Sequence, residues 1–436
     1  MKNNNLSTFF SLQYLLLSLP FLIVTGPLLS DALVSLFAIY LLFQVKKILL
    51  DKQLTYFFLF FFAFYVLINI STVLSEYVNL NLNSIFYFRF FLFSFCFILI
   101  IKNPNFFFKY LSIIIGFIFI ILLIDGLSEF FFKRNILNYD NSHANRVSSL
   151  FKDELVLGSF TVRLLPILLG SLIFYLKKFK KYNDLILLFF TGIGISLILL
   201  SGERTSILLF LSFLLFIFIF WETKLVFKFI LISIIPIFFL LFLSENIRNR
   251  FLIEPLIQFN FINQKTLEEK NIVDDKDFSY PSIQTKKIYI FSVHHHRHYL
   301  AAWKIFKEYP LIGAGPKSFR VSCKEPKFRV YLFYEWEEHL DVNDWSQFKI
   351  VEGITHGIYH YYDLENQARI DKIYFDHGNR SFGHIKLNNF NQACSTHPHN
   401  THIQILSELG LLGYVFLSSF IFMILYFSIK IKKDKI

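Results

Sequence analysis

Several expected signatures are missing from this sequence. It has no H-E-x-x-H run, the spacing of His397, His399 and His402 is not a standard zinc pattern, and "HHHRH" (294–298) adds histidines without a thiolate or paired carboxylate, so the expected chemistry uses no metal or cofactor, with metal ligation kept as the lesser alternative. It has no G-x-x-x-x-G-K-[ST] element. "PLIGAGPKSF" (310–319) echoes a phosphate loop but follows a helical pattern rather than a buried strand, and reads as a turn built from Gly313, Gly315 and Pro316. The N-terminal "MKNNNLSTFFSLQYLLLSLPFLIVTG" lacks an A-x-A-like cleavage site and is expected to stay as a first helix. No internal repeat or heptad series is present. Glycines number 16 and cysteines 3 in 436 residues. Cys96 falls inside an apolar run as a small filler. Cys323 and Cys394 fall in one polar segment, where a disulfide or two free thiols are the open alternatives.

What is abundant is apolar surface. The chain is 55% hydrophobic, has 59 phenylalanines and a mean hydropathy of +0.50. Apolar runs of about 18–20 residues recur, the length that crosses a bilayer as a helix, and in lipid such runs must be helical to satisfy their own backbone. Ten spans are expected: Thr8–Gly26, Leu28–Val45, Leu54–Val73, Ser84–Ile101, Tyr110–Leu127, Leu155–Leu176, Leu185–Leu200, Thr205–Trp221, Leu225–Leu243 and Leu411–Ser428. The fold class is therefore an all-α polytopic membrane protein. With the N-terminus in the cytoplasm, the inward loops hold Lys46, Lys47 and Lys52, then Lys102 and Lys109, then "KKFKK", Lys224 and the tail "KIKKDKI", while the outward loops after spans one and three hold no Lys or Arg. The outward loop 128–154 runs against this pattern, with Lys133, Arg134, Arg146 and Lys152. The rest is the positive-inside pattern, so the net charge of +11 reflects membrane topology rather than nucleic-acid binding. Both termini are expected inside. Residues 1–244 form spans one to nine, 245–402 a polar outward domain (periplasmic in a cell with two membranes), and 403–436 the last span and basic tail. A structureless loop of that length is improbable, so 245–402 is expected to fold.

Three arginines sit where charge is costly, about 2.5–3.5 kcal/mol for a residue at the centre of a span. Arg163 in "GSFTVRLLP" lies about two turns into the sixth span. Arg89 lies near the outer end of the fourth, where it can also snorkel to the interface, and Arg204 lies in the turn before the eighth, where it can be an ordinary loop residue. A guanidinium fork grips phosphate oxygens, so arginines at the outer boundary suit a lipid with a phosphate or diphosphate head.

"STHPHNTHIQILSELGLLG" (395–413) crowds His397, His399 and His402 at the mouth of a helix. Metal ligation, helix capping and general-base chemistry are all open for such a group. As a base, a histidine there would activate a hydroxyl to attack a sugar on a lipid diphosphate, with positioning and charge stabilisation doing most of the catalysis.

"HPHNTHIQILSELGLLG" resembles the C-terminal signature of the O-antigen ligase and O-antigen polymerase superfamily: His399 and Asn400, nine residues, Gly410, two residues, Gly413. "SGERTSILL" is similar to a second signature, Arg204 with Leu208 at the start of a span. "RHYLAAWKIFKEYPLIGAGPKSF" is similar to a third, with Arg297 ahead of a Trp-bearing helix and a P-x-x-G-x-G turn. The resemblance implies a GT-C-like fold in the bacterial inner membrane with a large periplasmic loop before the last helix. It implies a metal-independent glycosyltransferase taking glycan from an undecaprenyl diphosphate carrier. A ligase passes it to lipid A–core, and a polymerase to a second lipid-linked glycan. By this analogy His399 activates the acceptor and Arg204 and Arg297 bind the diphosphate. Arg163 is added from its depth in the membrane, with Asn400, His397, His402 and Arg89 in support. The chain departs from the family in having ten expected spans where many ligases have twelve, and His402 where an aromatic is common. A lipid-linked glycan flippase or other transporter, which also needs cationic cavities, is the alternative from a different class.

Overall fold

The computed structural model describes residues 12–78, 82–101, 103–139, 146–152, 154–176, 183–220, 223–258, 293–328, 348–350, 361–363, 372–375, 383–386 and 394–433. Among the described residues six helices are long and apolar enough to cross a membrane: α3 (Lys52–Val73), α5 (Pro104–Phe132), α6 (Leu157–Leu176), α7 (Asn183–Ser201), α9 (Thr223–Leu243) and α12 (Thr401–Lys433). The chain is a multi-pass membrane protein.

Three more of the expected spans coincide with shorter apolar helices, α2 (Pro27–Leu42), α4 (Phe88–Ile100) and α8 (Arg204–Phe220). With 16 residues, α2 reaches about 24 Å, short of a hydrocarbon core of about 30 Å. The first expected span starts outside the described residues. Its described part is helical over 12–17 and again in α1 (Leu19–Thr25), which stops at Gly26 and Pro27. Local chemistry sets the helix ends. Asn103 caps α5 by accepting from the Phe106 N–H (3.1 Å), Pro104 takes the first position, and Lys133 closes the helix in a left-handed conformation.

Two compact units result. The first comprises Met1–Phe62, Phe86–Glu254 and Ile421–Ile436; the second comprises Ala63–Ile85 and Pro255–Phe420. In the first unit α6 packs on α5 and α7, and α7 packs on α9. Leu122, Leu165, Leu168, Leu197 and Ile198 are fully buried there. Two buried acids of α5 tether the loop that follows it. Asp125 accepts from the Ile136 N–H (2.7 Å) and the Ser149 hydroxyl (2.7 Å), and Glu129 accepts from the Ser148 N–H (3.1 Å) and the Ser149 N–H.

In the second unit, α10 (Val293–Glu308) buries Ala301, Ala302 and Ile305 with Phe319, which opens the short α11 (Phe319–Ser322), and Phe328. Cys323 and Cys394 are joined by a disulfide, with Cα atoms 5.4 Å apart, whereas Cys96 is a buried free thiol of the first unit. Two antiparallel strand pairs add a little sheet to the helical architecture. β1 (Phe348–Ile350) pairs with β2 (Tyr361–Asp363), with Phe348 opposite Asp363. β3 (Lys372–Phe375) pairs with β4 (Gly383–Lys386), with Lys372 opposite Lys386.

The last helix starts earlier than hydropathy suggests. It begins at Thr401, capped by the Asn400 side chain, which accepts from the N–H groups of His402 (2.9 Å) and Ile403 (3.2 Å). It is then broken at Gly410, whose φ of 65° and ψ of −163° are not helical. The 310–315 turn docks into this break: Leu411 and Leu412 donate N–H bonds to the carbonyls of Pro310 (2.8 Å) and Leu311 (3.1 Å), while Ala314 and Gly315 donate to those of Ser407 (2.9 Å) and Glu408 (3.0 Å). Ser71 of α3 donates to Ile312 O and Glu408 O, and Ser75 to Ala314 O. Two backbones approach so closely that a Cβ on Gly313 would lie 2.3 Å from the Glu408 carbonyl carbon, and one on Gly410 2.4 Å from that of Leu311. Irregular backbone in an apolar helix is tolerated where, as here, protein groups satisfy it.

Candidate functional site

Each unit holds a cluster of polar side chains. In the second unit the segment 394–400 leads from the disulfide to α12. His399 adopts φ 57°, a left-handed conformation uncommon for a residue with a side chain. It sits among three more imidazoles: its ring centroid is 4.3 Å from that of His397, 5.2 Å from His295 and 5.4 Å from His298. His295 and His298 come from the first turns of α10, so one hundred residues of sequence separate the two halves of the cluster. His298 is buried and packs on Phe319. Although the surface of His399 is exposed, packing among the other rings removes water from it. Desolvation first, and then repulsion from His397, His295 and His298, push its pKa down to about 4. It is therefore a neutral imidazole at ordinary pH, able to accept a proton. Among the described residues no three His, Cys, Asp or Glu side chains are grouped to hold a metal ion.

The residues around His399 hold it from several sides. Asn400 caps α12 and also hydrogen-bonds the Tyr299 hydroxyl of α10. The His397 ring nitrogen Nδ1 is 2.9 Å from the Thr396 hydroxyl, and the His397 carbonyl accepts from Ser395. His402 stands apart from the four rings and packs edge-on to Tyr414. Arg297 lies on α10 between His295 and His298 in sequence; its side chain lies outside the described residues.

The first unit holds an arginine–glutamate cluster around the turn between α7 and α8. Arg204, the first residue of α8, donates Nε to the Arg250 carbonyl (2.9 Å) and pairs with Glu254. Arg250 donates Nε to the Gly202 carbonyl (3.0 Å) and lies 3.6 Å from the same Glu254. Arg146 donates to the Ser201 carbonyl (3.0 Å) and faces Glu203 at 3.7 Å. Glu203 also accepts from the Ser206 hydroxyl (2.9 Å). Burial raises the Glu203 pKa and lowers those of Arg146 and Arg250, the last of which also repels Arg146. A cleft of about 240 Å³ opens beside Arg146 and Lys133.

The other two arginines have different surroundings. Arg89 donates to Asp31 (2.8 Å) and lies 4.8 Å over the Phe90 ring, so it binds α4 to α2 and accounts for the acid at the start of the second expected span. Arg163 donates one N–H to the Ser159 carbonyl (3.1 Å) and lines a cleft of about 730 Å³.

The sequence-based expectations left out Asp125, Glu129, Glu203 and Arg250. Two acids four residues apart near the end of an apolar run, and an acid adjoining Arg204, were the available signals. The "HHHRH" run at 294–298 was visible as a group of histidines, but only the fold places it beside the 397–399 segment. No protein-family model, no curated protein and no solved structure matches this chain.

Proposed function

We propose that this protein is a membrane glycosyltransferase of the O-antigen ligase-related type. In this reading it takes glycan from an undecaprenyl diphosphate carrier and passes it to an acceptor hydroxyl, that of lipid A–core, on the periplasmic face of a bacterial inner membrane. It has about ten spans in a GT-C-like arrangement, both termini in the cytoplasm, and its polar domain in the periplasm. The observation that carries the reading is the neutral His399 ring, held at the capped mouth of α12 by three imidazoles and the Asn400 cap. The Cys323–Cys394 bridge supports placing that domain in an oxidising compartment.

In the mechanism His399 takes the proton of the acceptor hydroxyl as that oxygen attacks the anomeric carbon, and the carrier diphosphate leaves with the electrons of the broken C–O bond. A pKa of about 4 is too low for an efficient base. A diphosphate brought close to the ring favours its protonated form and lifts that value toward the working pH, so donor binding itself would switch the base on. Arg297, on the helix that carries His295 and His298, supplies a cation for the diphosphate. Arg204, in the first unit, is paired with Glu254 and would bind a phosphate only by exchanging that carboxylate for it. His397 and His298 orient the ring. A polymerase would use the same chemistry with a second lipid-linked glycan as acceptor. A lipid-linked glycan transporter, favoured by the cationic cleft beside Arg163, would need no base at all.

The test is the surface-glycan profile of a strain lacking the protein, complemented with wild type or His399→Ala, with lipid-linked intermediates measured alongside. Long polymer stranded on the carrier with bare lipid A–core is the expected result, restored by wild type and not by the variant. Single repeats on lipid A–core would mean a polymerase. Full restoration by a stably expressed His399→Ala would refute the enzyme in either form.

A further inference from the structure

We propose that the 730 Å³ cleft of the first unit is a binding site for the phosphate head of a membrane lipid, gripped by Arg163 and Lys152. The site lies where α1 breaks into α2 and where the 149–152 turn meets the start of α6. It does not depend on His399 and would serve a transporter as well as an enzyme.

Three features of positive sign converge there. Arg163 is the seventh residue of α6, about 10 Å along the helix axis, and makes no ion pair among the described residues. One of its N–H groups is used on Ser159, leaving the rest of the fork for a ligand. Glu203 feels the Arg163 charge but is already bound to Ser206 and Arg146. Lys152 is exposed on the lining, its ammonium 4.7 Å over the Tyr139 ring. The N-terminus of the 16-residue α2 lies on the same wall, with Pro27 in its first position. At the break, Gly26 faces open space: a Cβ there would meet nothing within 4 Å. The described lining holds one carboxylate, Glu154, against the two cations.

The rest of the wall is greasy, with Ile23, Phe151, Phe160 and Leu164. Leu28 and Leu29 beside the break are exposed at 79% and 51%. An ionisable residue inside an apolar span belongs to a functional cavity by default. Guanidinium, ammonium and a helix N-terminus together suit a phosphate, and the apolar walls suit the chain attached to it. The volume falls within the range of about 300–1,000 Å³ typical of small-molecule sites.

Native mass spectrometry of the full chain in neutral detergent tests this, with four probes: a polyprenyl phosphate, phosphatidylglycerol, a polyprenol without phosphate, and inorganic phosphate. One or both phosphate-headed lipids should be retained about tenfold more tightly than the polyprenol, and which one is retained identifies the lipid source. Arg163→Gln with Lys152→Gln should clearly lower that preference, Arg163→Lys should weaken it partly, and Lys307→Gln in the second unit should leave it unchanged. His399→Ala should also leave it unchanged, so failure of the catalytic reading and failure of this site give different results. Equal retention by wild type and the double variant, or equal retention of polyprenol, would overturn the proposal, and displacement by equimolar inorganic phosphate would overturn its lipid part. If the double variant does not fold, a photoreactive phospholipid on the wild type decides: labelling of 23–30 and 150–164 supports the site, and labelling confined to other segments refutes it.

Discussion

Replacing Gly410 with alanine should make the second unit markedly easier to unfold. Its φ of 65° with ψ of −163° lies in a region that only glycine populates, and holding another residue there costs about 1–3 kcal/mol. The added Cβ would lie 2.4 Å from both the carbonyl carbon and the oxygen of Leu311 and 2.6 Å from the Gly313 nitrogen. Those atoms are backbone and cannot swing aside. Relief requires the 310–315 turn to withdraw, and the bonds from Leu411 to Pro310 and from Leu412 to Leu311 go with it. At about 1 kcal/mol each, they bring the total to about 3–5 kcal/mol. For a unit of this size that is a fall of about 10 °C in apparent melting temperature. The assay is thermal unfolding of the purified protein in detergent at a fixed scan rate, because membrane proteins of this size seldom unfold reversibly. Gly170→Ala is the control: that helical glycine has nothing within 4 Å of its Cβ position, and alanine there should gain about 0.5–1 kcal/mol. If Gly410→Ala melts with Gly170→Ala or with wild type, the docked-turn argument is wrong.

Other consequences can be measured on the same preparation. Because the folded His399 pKa is about 4 against an ordinary 6.5, the unfolded chain binds the extra proton between those values. Its contribution to stability should therefore fall as pH drops from about 6.5 to 4, and melts across that window should show a shallower slope for His399→Asn; equal slopes would contradict the assignment. Glu203→Gln should cost about 1–3 kcal/mol, since it removes the carboxylate facing a half-desolvated Arg146, while Glu254→Gln, whose carboxylate is 47% exposed, should cost less than about 1 kcal/mol. The reverse order would show that the Glu203 charge contributes little to holding Arg146. Cys394→Ser should destabilise the second unit by about 2–4 kcal/mol and dithiothreitol should do the same to wild type. Non-reducing peptide mapping that found both thiols free would remove the bridge from the account.

Membrane insertion was readable in the sequence because hydrophobicity is local and additive: a run such as 104–132 is apolar whatever it packs on, and its length fixes whether it can span. The Asn400 cap and the break at Gly410 were also within reach, since each depends on residue types a few positions apart. The helix mouth at the histidines was expected, but its membrane-crossing run was placed from Leu411; in the fold the helix runs on from Thr401 and the 310–315 turn docks at its break. Sequence position set Arg163, deep in a span, apart from Arg89 and Arg204 nearer an end or a loop, but it could not show which of the three has an acidic partner. Tertiary structure distinguishes them by giving Arg89 to Asp31 and Arg204 to Glu254 while opening Arg163 onto a cleft. The same holds for the imidazole cluster, whose two halves lie one hundred residues apart and meet only because α10 packs beside the 394–400 segment. Charge pairing and ring contacts depend on distances in space, and a sequence fixes those distances only through the fold.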